Sequence, residues 1–87
     1  MQRPPIFSVE DAIARLISIY QSHPEGFVRG EGGEDEREIR EIGDFLNRQG
    51  GFELMRTVHA EFTRRCSTRG APRNLEFIWD GIGGWQG

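Results

Sequence analysis

Val9, Ala12, Ile13, Leu16, Ile17 and Tyr20 recur at steps of three and four residues, the spacing that gathers side chains on one face of an α-helix. Ser8 stands before this run with Asp11 three residues on, a variant capping box, so a first helix is predicted to begin there. Ser22-His23-Pro24 stops it, and a charged His23 would complement the negative helix end. A second stripe, Ile39, Ile42, Phe45 and Leu46, follows the acidic opening Glu34-Asp35-Glu36. Glu36 with Arg40, and Asp44 with Arg48, stand four apart in the order that favours surface ion pairs. A third stripe, Phe52, Met55, Val58, His59, Phe62 and Cys66, runs toward Arg69-Gly70. Gly50 reads as the glycine that ends the second helix, so Gly50-Gly51 predicts a tight hairpin or a sharp corner. Gly70-Ala71-Pro72 breaks the third helix, and Leu75, Ile78, Trp79 and Ile82 share one face of a short fourth, which Gly81 closes in a left-handed conformation.

No period-two alternation, internal repeat or low-complexity tract appears. The expected class is therefore all-α: a compact four-helix domain, three amphipathic helices plus a short C-terminal one around a single core. Residues 1–87 read as one domain, with a flexible N-terminus over 1–6 and a mobile Gly-rich loop over 24–33 between helices one and two. That loop is a poor match to a phosphate cradle, because no strand leads into it.

Composition narrows this picture. At 87 residues and 36% hydrophobic content the core is small, and a chain of this size buries only about 60–65% of its unfolded surface, so oligomerisation would be a natural supplement. All 11 cations are arginine, which reports either GC-rich codon usage or a surface that recognises carboxylates and phosphates. Residues 1–50 hold ten acids against six arginines, and residues 51–87 hold four against five. With a net charge of −3 the chain lacks the basic balance of a nucleic-acid domain. The one cysteine, Cys66, excludes an intramolecular disulfide and fits a reducing compartment. No signal-peptide run and no bilayer-length apolar stretch is present, so the expected location is cytoplasmic, with no membrane partner.

Candidate chemistry is sparse. His59 lies near the apolar face of helix three, where a half-buried, hydrogen-bonded role fits better than acid-base work. Cys66, seven residues on, is too far for contact with it and reads as an inert core thiol despite the arginines around it. One cysteine and two distant histidines give no metal-ligand spacing, and no cofactor motif is present, so no catalytic, cofactor or metal residue is assigned and the chain is read as a non-enzyme.

Two features remain. Arg64, Arg65, Arg69 and Arg73 form the one basic cluster, and the stretch from Arg73 to Gly87 carries both tryptophans. Phe77, Ile78, Trp79, Ile82 and Trp85 must dock on this fold or on a partner. The period of Trp79 matches the core residues Leu75 and Ile82, whereas glycines flanking Trp85 leave it free to fold inward or to project. Tryptophan and arginine dominate interface hot spots, so the leading expectation is a protein–protein interaction or adaptor module. Its candidate surface is Arg64, Arg65, Arg69, Arg73, Trp79 and Trp85, and its partner is an unknown protein or a second copy. The alternative is a regulatory protein that binds nucleic acid or another polyanion through the same arginines. The leading expectation fails if the protein is strictly monomeric with Trp85 fully buried against its own core and no exposed apolar patch.

Overall fold

The computed structural model describes residues 8–86, and the expected flexible stretch 1–6 lies outside them. Three helices form the described chain: α1 (Val9–Ser22), α2 (Gly33–Arg65) and α3 (Ala71–Trp79). α1 and α3 both pack on α2. The expectation of four helices is corrected to three, because what the pattern divides at Gly50-Gly51 is one 33-residue element.

That element is not straight. A straight helix of its length would run about 50 Å. The longest extent of the described residues is 29 Å. The break is at Gly51, whose φ of 72° and ψ of −165° interrupt the helical backbone in a region open only to glycine. The arm before it carries Ile39, Ile42 and Leu46 into the core, and the arm after it carries Met55, Val58 and Phe62.

Local signals set the helix ends. Ser8 Oγ accepts from the Asp11 N–H at 3.1 Å at the start of α1, and the His23 N–H donates to the Tyr20 carbonyl at its end. Gly70, with φ of 84°, precedes α3, and Pro72 sits in its first turn, where a missing N–H costs nothing. The start of α2 departs from its sequence reading. Glu36 does not form the expected pair with Arg40; its carboxylate turns back and accepts from the Gly30 N–H (2.8 and 3.0 Å) and the Gly32 N–H (2.8 Å). Arg40 reaches across to the end of α3, donating to the Ile78 and Asp80 carbonyls at 2.6 and 3.2 Å. Both side chains find orphan backbone groups, which reward a charged partner more than an exposed i,i+4 ion pair does. The Asp44–Arg48 pair does form, at 3.2 Å.

A part-buried polar hub joins α1 and α3 to the loop. The Asn74 side chain brackets the Phe27 backbone, its Oδ1 accepting from the Phe27 N–H at 3.1 Å and its Nδ2 donating to the Phe27 carbonyl at 2.8 Å. The same Oδ1 accepts from the Tyr20 hydroxyl at 2.8 Å. Tyr20 is fully buried, and burial raises its phenol pKa well above the ordinary range. Between α1 and α2, Arg15 makes a two-pronged ion pair with the buried Glu38, at 2.6 and 3.0 Å.

Candidate functional site

The C-terminal segment is part of the core. Trp79 is fully buried, and its Nε1–H donates to the Ile39 carbonyl at 2.9 Å. It lies against Gly43, where an added Cβ would fall 2.6 Å from the indole nitrogen. A glycine inside a helix ordinarily weakens it by about 1 kcal/mol, so Gly43 is accounted for by this close approach. Beyond α3 the chain folds back through Gly81, Gly83 and Gly84, all at positive φ, and the Gly81 N–H donates to the Trp85 carbonyl at 2.9 Å. Trp85 is thereby 8% exposed. Its indole meets Trp79 edge to face with ring centroids 5.3 Å apart, and its Nε1–H donates to the Glu76 carbonyl at 3.2 Å.

Trp79 and Trp85, expected among the residues of the contact surface, are instead buried against this chain's own core. The physical reason is that the glycines let the last turn reverse, and both indole N–H groups find carbonyl acceptors within the fold.

The basic cluster divides in two. Arg64 pairs with Glu61 through bonds of 2.6 and 2.8 Å. Arg65 bonds Glu61 at 3.1 Å and reaches Glu10 of α1. The Arg64 hydrogen bond, with that of Arg65, holds the Glu61 carboxyl down to about 2, and the Arg65 bond keeps Glu10 below the usual carboxylate range. Those two guanidinium groups are neutralised by their own chain. Arg69 and Arg73 are exposed and have no ion-pair partner among the described residues.

His59 holds structure together. Its side chain is 18% exposed, and Nε2 lies 3.0 Å from the Pro72 carbonyl and 3.3 Å from Glu76 Oε2, which ties the second arm of α2 to α3. Its ring packs on Trp85 at 5.4 Å. Cys66 caps α2 and is partly buried against the core. Among the described residues no group of three or more His, Cys, Asp or Glu is placed to hold a metal ion, and no buried side-chain nitrogen or oxygen lacks a partner.

No known protein family, curated protein or solved structure matches this chain. Function must therefore be argued from what the fold leaves at its surface.

What it leaves is a stripe on the outer face of α3. Ala71, Leu75, Ile78 and Trp79 turn inward, while Arg73 and Phe77, four residues apart, turn out. Phe77 is 52% exposed. The loop runs beside this stripe: Phe27 is bracketed by Asn74, and Arg29 pairs with Asp80 at 2.9 Å. Val28, between those two anchors, is 67% exposed. Phe77 lies between Asn74 and the α3 cap Asp80 just as Val28 lies between Phe27 and Arg29 on the loop. Sequence reasoning placed Phe77 in the docking segment but gave the anchoring role to the tryptophans. The available signal was its phase, one position off the Leu75, Ile78, Trp79 face. Among the described residues no helix is long and apolar enough to cross a membrane.

Proposed function

We propose that this protein is a non-catalytic protein–protein interaction module whose contact surface is the outer face of α3, with Phe77 and Val28 as the apolar anchors and Arg73 and Arg69 as the rim. The observation that carries this reading is Phe77, a large aromatic side chain 52% exposed, beside Arg73, an exposed arginine with no ion-pair partner among the described residues. Aromatic and arginine side chains are what interface centres concentrate, and a partner that covers the ring supplies carboxylates to the rim. The reading keeps the Arg69 to Arg73 edge of the expected surface and replaces Trp79 and Trp85. A polyanion-binding role draws less support, since Arg64 and Arg65 are already occupied by Glu61 and Glu10.

A photo-reactive phenylalanine analogue at position 77 tests the reading in the cells that make the protein. The expected result is a discrete cross-linked species that disappears when Arg73→Glu is added, with none from the same analogue at Glu53, whose side chain is 83% exposed on the second arm of α2. Equal labelling from both positions, or none from position 77, overturns it.

A further inference from the structure

We infer that the partner this surface takes is a short acidic peptide segment of another protein, with carboxylate set against Arg73 and Arg69 and a large apolar side chain laid on Phe77 and Val28; the inference rests on the interaction reading above. Asn74 holds Phe27 beside α3, and Arg29 pairs with Asp80 at the helix cap, so loop residues 27–29 run alongside α3 in its own direction. Val28 is thereby set level with Phe77. The two exposed apolar side chains stand side by side, one on each element, and each is fixed by the anchors that flank it.

Charge gives this surface a polarity. Arg69, in the turn that leads into α3, and Arg73, in its first turn, are exposed and have no ion-pair partner among the described residues. The first turns of α1 and α2 carry acids, Glu10 and Asp11 in one and Glu34, Asp35 and Glu36 in the other, whereas that of α3 carries none. The acids farther along, Glu76 and Asp80, face His59 and Arg29. Among the described residues no carboxylate answers the two arginines, so complementarity assigns the carboxylates to the partner. Arg73 and Phe77 lie about 6 Å apart along the helix axis, an offset that a partner matches with its acidic and apolar residues roughly two apart in an extended segment or four apart in a helical one. Nine residues of helix span only about 13 Å, so even with Val28 at its edge the contact falls short of the ~1,200 Å² of a standard stable interface. A short segment fills that area where a second globular face does not. The affinity is correspondingly weak, on the order of 10 µM to 1 mM.

Phage display of random peptides of about 12 residues on the immobilised full chain tests it. Wild type is expected to enrich sequences in which an aspartate or glutamate stands at one of those spacings from a leucine, phenylalanine or tryptophan. In titrations with a synthetic copy of the most enriched peptide, Phe77→Ser and Arg73→Glu, each checked for helix content by circular dichroism, are expected to weaken binding by at least about tenfold. A fresh selection on Arg73→Glu is expected to turn the enriched charge from acidic to basic. That inversion is the decisive readout, because a variant that had lost its fold would abolish selection without inverting it. No enrichment by wild type, enrichment of basic or uncharged sequences, or the same acidic sequences from Arg73→Glu overturns the inference. Dimerisation in sedimentation velocity that Phe77→Ser removes gives the surface to a second copy, and cosedimentation with anionic phospholipid vesicles that Phe77→Ser removes gives it to a membrane; each overturns it as well. A failed selection beside a discrete cross-link from position 77 removes only the acidic partner, and a failed selection without that cross-link removes the interaction reading too.

Discussion

The chain has two glycine-rich stretches, residues 24–33 and residues 81–84, and the fold organises them by opposite means. The first is held by polar side chains that reach in from helices: Asn74 grips the Phe27 backbone, and Glu36 fills the ring of N–H groups at Gly30 and Gly32. The second is held by its own apolar residues, with Ile82 and Trp85 tucked onto the core and the indole N–H bonded to Glu76. A loop anchored through its backbone leaves its side chains free to face outward, and Val28 does so. A segment anchored through its side chains has none to spare, and Trp85 is consumed. The most exposed apolar side chains, Val28 and Phe77, consequently lie beside the first stretch, whereas beside the second the partly exposed Phe52 ring packs on Trp85.

The largest test of this contrast is Trp79→Ala, which removes a fully buried indole and its hydrogen bond to the Ile39 carbonyl; it should destabilise the domain by about 3–5 kcal/mol. For a domain of this size that is a large share of the total, and chemical denaturation should show it as a strongly reduced midpoint. Gly43→Ala should act in the same direction by about 1–3 kcal/mol, since the added methyl meets the same ring. If it instead stabilises, as removing a helix glycine otherwise would, the close approach of Trp79 is wrong.

Asn74→Ala comes next, with about 2–3 kcal/mol expected from leaving the Phe27 amide, the Phe27 carbonyl and the Tyr20 hydroxyl without their partner. Hydrogen exchange should then rise over residues 25–32 far more than over 81–85, which separates the two anchoring modes. Glu36→Gln is smaller, about 1–2 kcal/mol, because one acceptor oxygen survives the change.

The smallest effects are those of pH. Tyr20 has a folded-state pKa raised by burial, so the folded chain keeps a proton that the unfolded chain releases, and stability should fall as pH rises past about 10. Tyr20→Phe should flatten that alkaline slope while costing about 1 kcal/mol at neutral pH. At the acid end Glu61 and Glu10 have depressed folded-state values, so their contribution is whole above about pH 4.5 and fades as pH falls toward 2. Both belong to surface pairs, and added salt should shrink that acid limb further. Thermal melts across pH check both limbs.

Much of the fold was legible because it depends on neighbours in sequence. The apolar steps of α1, the Ser8 cap, the His23 end and the left-handed Gly81 each follow from chemistry within one helical turn. The corner at Gly50-Gly51 was legible too, though the pattern there suggested two helices where the backbone makes one broken element. The candidate site was only half legible. Arg69 and Arg73 are exposed with no ion-pair partner among the described residues, but Arg64 and Arg65 are occupied, and the link from Arg65 to Glu10 spans 55 residues that no local pattern encodes. Glu36 and Arg40 show the same limit: four-residue spacing marks them as a pair, and stronger acceptors and donors brought in by folding divert each of them.

The sequence by itself determined the helical class, the positions of its breaks and the fact that the C-terminal aromatics had to be covered, since periodicity, capping and hydrophobic burial act at short range or in bulk. Only the tertiary structure decided that this chain covers Trp79 and Trp85 itself and leaves Phe77 and Val28 in solvent. Gly83 and Gly84 permit Trp85 to turn either way, and the choice is made by a pocket that exists only once Trp79, Glu76, His59 and Phe52 have been brought together.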